Sequence, residues 1–221
     1  KSENMCGFVG FIDKNNIETK KIALENMMNR IIHRGPDSAG TYVDEKAALG
    51  FRRLSIIDLE HGSQPIYNEN KDLVIVFNGE IYNFQEIKED LVSKGHTFLT
   101  HTDTEVIIHG FEEYGKDIVT KLRGMFAFVI WNTKTNVMFG ARDMFGIKPF
   151  YYSNTEDAFL FGSEIKSFIE HPCFHKEMNK SALKPYLTFQ YSALNETFFK
   201  GVYKLEPGHC FTYANGKMEI E

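Results

Sequence analysis

Cys6 is the residue with the most direct chemical potential in this chain. It follows Met5 at the head of an apolar run, where an initiator methionine would stand if residues 1–4 were a leader. A thiol attacks as its thiolate and needs a base, and a cysteine at a chain terminus carries one in its own α-amine, whose pKa is about 7.7–8.0. No His or Asp partner is then required. The plainer alternative is an inert cysteine in a buried strand. Other chemical residues are equally open when taken singly. Asn78-Gly79 is a common hairpin-turn pair, Arg53 can be a surface charge, and Asp103 can cap a helix that follows it. His171 and His175 have helical metal-ligand spacing, but Pro172 lies between them and no carboxylate pattern completes a site. They are expected to be solvated loop histidines, and no metal is expected. Cys173 and Cys210 have no motif around them and read as structural.

The elements that must carry these residues follow from apolar period. Residues 6–13 form a short run rich in Phe, Val and Ile before polar Lys14-Asn15-Asn16, the pattern of a buried strand and its turn. Ile22, Leu24, Met27, Met28, Ile31 and Ile32 recur at helical spacing, with Thr19 as cap and Gly35-Pro36 as terminator. Further strands are expected at 41–43, 47–54, 73–77, 125–131, 137–142, 150–152, 158–163, 202–205 and 209–213. Helices are expected at 83–94, 103–114, 116–122 and 181–189. Hairpin-like strands interrupted by paired helices predict an α+β domain with helices packed on antiparallel sheets.

Composition narrows the function classes. Apolar residues make up 43% and charged residues 25% of the 221, and 20 Phe promise an aromatic core, so one large domain is expected. The net charge is -5 and Lys/Arg form no stripe, so neither a nucleic acid nor an anionic membrane has electrostatic support as partner. Three cysteines without paired spacing indicate neither a disulfide framework nor a structural metal and fit a reducing cytoplasm. No apolar run reaches membrane-spanning length, and residues 1–5 lack the apolar stretch of a secretion signal.

A series of short motifs then changes the weight of Cys6. In order they are Met5-Cys6-Gly7, Ile32-His33-Arg34-Gly35-Pro36-Asp37, Arg53-Leu54-Ser55-Ile56-Ile57-Asp58, Gln64-Pro65 and Asn78-Gly79-Glu80-Ile81-Tyr82-Asn83. Asp103-Thr104-Glu105-Val106, Arg123-Gly124-Met125-Phe126-Ala127-Phe128, Arg142-Asp143 with Gly146-Ile147-Lys148-Pro149, and Gly162-Ser163-Glu164-Ile165-Lys166 follow. In number, order and spacing this series resembles the glutamine amidotransferases with an N-terminal nucleophile, and within them the glutaminase half of glutamine-dependent asparagine synthetases. The resemblance implies a four-layer αββα sandwich of antiparallel sheets, of the N-terminal-nucleophile hydrolase type. It also implies a division into residues 1–5 as a leader or remnant and 6–221 as the glutaminase domain, with the C-terminal synthetase domain absent.

By resemblance the glutamine site falls on Arg53, Asn78, Gly79 and Asp103, with backbone contacts at Leu54, Ile56 and Glu80. Each residue type suits its task. Arg53 offers a planar two-pronged donor to the substrate α-carboxylate, and Asp103 offers a carboxylate to its α-ammonium. When the Cys6 sulfur attacks the side-chain amide, the Asn78 amide and the Gly79 backbone N–H can form the oxyanion hole, and Gly79 lets the backbone approach closely. Arg34-Gly35-Pro36-Asp37 is expected to shape the loop over the substrate, with Asp37 either in a turn or in an unassigned role.

The implied partners are glutamine and the synthetase domain of the same polypeptide, and a homodimer is compatible. No cofactor is implied for this domain; ATP and magnesium are implied for the synthetase domain, where aspartate would be activated. No glycine-rich pyrophosphate-binding signature is present, so the 221 residues are not expected to bind ATP. Because Lys1 to Met5 block the Cys6 α-amine, the chain as written is expected to be a weak glutaminase until processed. Two alternatives stay open: a glutaminase serving another acceptor, and a glutamine-binding module that never exposes Cys6.

Overall fold

The computed structural model describes residues 5–54, 63–191 and 194–221. Two six-stranded antiparallel sheets lie face to face. The first is ordered β10-β8-β9-β1-β3-β2, from β1 (Gly7–Asp13), β2 (Ser38–Val43), β3 (Ala47–Arg53), β8 (Tyr151–Asn154), β9 (Ala158–Gly162) and β10 (Tyr203–Lys204). The second is ordered β12-β11-β7-β6-β5-β4, from β4 (Ile66–Tyr67), β5 (Leu73–Ile81), β6 (Gly124–Asn132), β7 (Val137–Arg142), β11 (Cys210–Ala214) and β12 (Lys217–Ile220). The helices are α1 (Ile17–Arg30), α2 (Phe84–Ser93), α3 (Thr104–Tyr114), the short α4 (Ile118–Lys121) and α5 (Lys180–Phe189).

The central strands are buried on both faces, which is why their sequences read as continuous apolar runs. The two-residue period survives in the packing. On β1, Phe8 points between the sheets while Val9 and Phe11 point outward to Leu24, Met27 and Met28 of α1. On β5, Val74 and Val76 point between the sheets while Leu73, Ile75 and Phe77 face Ile87 and Leu91 of α2 and Val106 and Ile107 of α3. Helix, sheet, sheet and helix therefore form four layers with three apolar interfaces, the αββα sandwich implied by the motifs. The middle interface is aromatic: Phe159 stacks on Tyr213 at 4.3 Å and meets Phe211 edge-on at 5.5 Å.

Local expectations hold with informative exceptions. The cap of α1 is Asn16, whose side chain accepts the Thr19 backbone N–H at 2.9 Å; Thr19 is the donor three residues on, as the capping geometry requires. Ile22 and Ile32 are exposed, because at about 100° per residue Ile22 lies on the opposite face from Leu24. The segment expected as a helix over 116–122 is a 3-10 turn followed by α4. Strand β12 was not expected, although Lys217-Met218-Glu219-Ile220 alternates polar and apolar residues, because four residues are a short run to read as a strand; it forms by pairing with β11. Among the described residues no helix is long and apolar enough to cross a membrane.

Candidate active site

Cys6 immediately precedes β1, and the start of that strand is clamped from several sides. The Phe8 backbone N–H donates to Ser163 Oγ at 3.1 Å, and the Ser163 N–H returns a bond to the Phe8 carbonyl at 2.9 Å. Arg34 Nε donates to the Cys6 carbonyl at 3.1 Å, and Arg34 Nη1 reaches Glu164 Oε1 at 3.1 Å. Glu164 is drawn below its ordinary range: burial opposes this, but bonds from His33, Lys166 and Arg34 prevail. The Cys6 sulfur lies against the end of β3, where the Leu54 N–H donates to Sγ at 3.3 Å.

The sulfur opens into a cleft of about 620 Å³ whose lining includes Cys6, Arg53, Leu54, Asn78, Gly79, Glu80 and Asp103. Every residue implied as part of the site is therefore brought together except Ile56, which lies outside the described residues. The single-residue alternatives are decided by the topology. Asn78 and Gly79 are not a hairpin turn; they sit within β5, opposite Ala127 and Phe126 of β6. A Cβ on residue 79 would lie 2.2 Å from the Met125 carbonyl oxygen, so glycine is what lets the two strands approach here. Asn78 is 2% exposed, and its Nδ2 has no hydrogen-bond partner among the described residues. A buried amide donor on a cleft, with no partner among the described residues, is available to an acceptor that enters.

Arg53, at the end of β3, is buried rather than a surface charge. Asp103 precedes α3 but makes no side-chain cap bond to it; its Oδ2 accepts the Ile81 N–H at 2.8 Å, tying the helix start to the end of β5. Burial pushes the Asp103 carboxyl up, with the charge of Glu80 adding to it. A cation entering beside this carboxylate would favour its ionised form. Asp37 lies in the loop before β2, and its N–H donates to the Arg53 carbonyl at 3.1 Å.

Three residues of the motifs have parts that their identity alone does not assign. Lys148 is buried on the cleft wall beside Met5, with Nζ 3.2 Å from the Met5 sulfur. Burial and then Arg34 push its ammonium down, while Cys6, Asp143 and Glu80 act oppositely. Asp143 holds the Lys148 loop by accepting backbone N–H groups of Phe126, Phe145, Ile147 and Lys148. Gln64 pairs both ways with the Phe77 backbone, at 2.9 and 2.6 Å, next to Asn78.

The two histidines read as solvated diverge. His175 is exposed, but His171 is 2% exposed. It accepts the Cys173 N–H at Nδ1, at 3.2 Å, and so donates from Nε2 to Asp13 Oδ2, also at 3.2 Å. Lys20, wholly buried, completes this ion-paired cluster behind β1. Tertiary packing over Phe11, not loop sequence, removes it from water.

A cysteine sulfur, an amide donor with no partner among the described residues, a buried guanidinium and a buried carboxylate share one cleft, a set able to hold an amino acid by both charged ends with its side chain at the sulfur. A family model described as a glutamine amidotransferase domain matches residues 5–221. The chain is 46% identical over 211 residues to asparagine synthetase [glutamine-hydrolyzing] 1 of Bacillus subtilis, covering 94% of this chain and 33% of that protein. It is 34% identical to asparagine synthetase 3 of the same organism, covering 98% and 36%. The chain thus spans about a third of the length of these curated relatives. In fold it resembles the glutamine phosphoribosylpyrophosphate amidotransferase of B. subtilis, with TM-score 0.68 at 20% identity, covering 98% of this chain and 49% of that one. It also resembles a glutamine aminotransferase class-II domain protein of Silicibacter pomeroyi, with TM-score 0.54 at 12% identity, covering 98% and 97%.

Proposed function

The chain belongs to the glutamine amidotransferase domain family, and from that premise we propose that Cys6 hydrolyses glutamine to glutamate and ammonia. The observation that carries the residue assignment is the Asn78 amide, buried on the Cys6 cleft with its Nδ2 unpaired among the described residues. Arg53 takes the substrate α-carboxylate and Asp103 its α-ammonium, with Leu54, Ile56 and Glu80 contributing backbone contacts, which aims the side-chain amide at the sulfur. The Cys6 α-amine, once free, removes the thiol proton. The C–S bond forms as the carbonyl oxygen takes negative charge, and the Asn78 amide with the Gly79 N–H stabilises it. Collapse breaks the C–N bond. The α-ammonium protonates the leaving ammonia, leaving a γ-glutamyl thioester that water cleaves with the same amine as base.

The relatives at about three times this length are named for asparagine synthesis. In the full polypeptide, the ammonia is proposed to feed ATP- and magnesium-dependent amidation of aspartate in a synthetase domain. Helix α5 exposes Leu183, Tyr186, Leu187 and Phe189 and buries only Ala182, an apolar face of the kind such a domain covers.

Ammonia release is the test, measured on the chain as written, on one beginning at Cys6, and on the latter with Cys6→Ala. Activity confined to the trimmed chain and abolished by Cys6→Ala is expected. Equal turnover with Met5 attached would refute the α-amine as base; glutamine binding without ammonia release by the trimmed chain would favour a binding module.

A further inference from the structure

Outside the cleft, one group of side chains converges in a way the hydrolytic chemistry does not use. His109 and Glu112 lie one turn apart on α3, His96 lies in the connection from α2 to α3, and Glu69 lies in the turn between β4 and β5. One ligand atom from each falls within 4.8 Å of every other. His109 Nδ1 is 3.2 Å from Glu69 and 3.0 Å from Glu112, while His96 Nδ1 is 3.7 Å from Glu69 and 3.9 Å from Glu112. In a tetrahedral zinc site with bonds of about 2.0–2.1 Å, neighbouring ligand atoms stand about 3.3 Å apart; the contacts to Oε2 atoms, His109 with Glu69 and Glu112 and His96 with Glu112, lie on either side of that value, while His96 meets the other Glu69 oxygen, Oε1.

The outer contacts are independently of the kind that orients metal ligands. A metal-binding imidazole normally gives its other nitrogen to a carboxylate or carbonyl. Here His109 Nε2 faces the buried Glu105 at 3.4 Å, and His96 Nε2 faces Glu113 at 3.5 Å. Glu105 is held in turn by the backbone N–H groups of Leu99 and Thr100 and by the Thr100 hydroxyl. The carboxylates are steadied at one oxygen: Asn68 Nδ2 donates to Glu112 Oε1 at 2.7 Å, and the Thr97 N–H donates to Glu69 Oε1 at 3.0 Å. Four carboxylates surround two imidazoles, a local negative charge of the sign that attracts a dication. His109 is 1% exposed whereas Glu69 is 34% exposed, so the cluster is anchored inside and reachable from water.

We propose that Glu69, His96, His109 and Glu112 form a structural binding site for a divalent transition-metal ion of the zinc class. Two imidazole nitrogens and two carboxylate oxygens suit zinc over calcium or magnesium, and four protein ligands leave no position for catalysis. The ion joins three segments, the β4–β5 turn, the α2–α3 connection and α3. Asp103, six positions before His109, begins the same helix, so the site fixes the element that presents this carboxylate to the cleft.

The test uses the untagged 221-residue chain, stripped with a chelator and titrated with Co²⁺, whose four-coordinate complexes show visible d–d absorption. One equivalent is expected to saturate those bands, Zn²⁺ to displace it, and Zn²⁺ to raise the melting temperature of the stripped protein. Glu69→Gln and His96→Ala alter ligands that are only partly buried, so the fold, checked by circular dichroism, should persist while the bands vanish. His175→Ala should leave them intact, and Glu113→Gln should weaken binding about 10–100-fold. Absence of saturable bands in the parent chain would overturn the site. So would bands that persist in both ligand variants, or that carry the charge-transfer absorption of cysteine ligation.

Discussion

Replacing Asn78 by alanine separates catalysis from stability more cleanly than any other single change. Asn78 is almost fully buried, yet its Nδ2 has no hydrogen-bond partner among the described residues. An unpaired buried donor costs about 1–3 kcal/mol, and deleting it offsets the packing lost with three side-chain atoms. The variant should therefore unfold within about 4 °C of the parent. Catalysis should respond quite differently. Losing one oxyanion donor raises the barrier by about 2.7–4 kcal/mol, a fall in kcat of about 10²–10³. The contact is made to charge that develops during attack, so KM for glutamine should change little. The assay is steady-state ammonia release by chains beginning at Cys6, beside thermal melting of the same samples. A kcat within about threefold of the parent would refute the oxyanion assignment. A melting temperature lower by well over 4 °C would show instead that Asn78 is part of the framework.

Asp103→Asn keeps an acceptor for the Ile81 N–H but removes the charge meant for the substrate ammonium. Because burial raises the Asp103 pKa, the ionised carboxylate destabilises the fold above its unfolded pKa, so the variant should melt higher at neutral pH but not near pH 3, while its KM rises. Arg53→Lys retains charge but loses the two-pronged geometry; competition by glutamate or glutamine should weaken by about tenfold, reflecting loss of about 1.5 kcal/mol of charged hydrogen bonding. The Asp13 cluster predicts an acid transition. Burial alone would raise this carboxyl, but bonds from His171, Lys20 and Asn15 hold it at about 2 against an ordinary 3.8. With a native pKa below the unfolded one, the stabilisation is complete above about pH 4 and is lost as pH falls through about 2; the shift corresponds to about 2 kcal/mol. Urea unfolding from pH 6 to pH 2 should show that slope in the parent and a flatter one in Asp13→Asn; identical slopes would contradict it.

Much of this was legible along the chain. Cys6 after Met5 suggests a terminal nucleophile only together with the motifs around it; the proposed thiol and amine are covalent neighbours and need no fold to meet. The order of motifs carries the family, and the apolar runs of β1, β5 and β6 carry the sheets, since a strand buried on both faces is mostly apolar. What remained illegible depends on pairing between distant segments. Asn78-Gly79 looks like a turn until the register of β5 against β6 makes it mid-strand. His171 looks like a loop residue until Asp13, 158 positions earlier, is brought against it. His109 and Glu112 are a local pair one turn apart on α3, but only the packing of α3 against the β4–β5 turn and the α2–α3 connection brings Glu69 and His96 to them. Period and propensity act over one or two turns of chain, whereas contact between side chains tens of residues apart is set by strand register and layer packing, which no local stretch encodes.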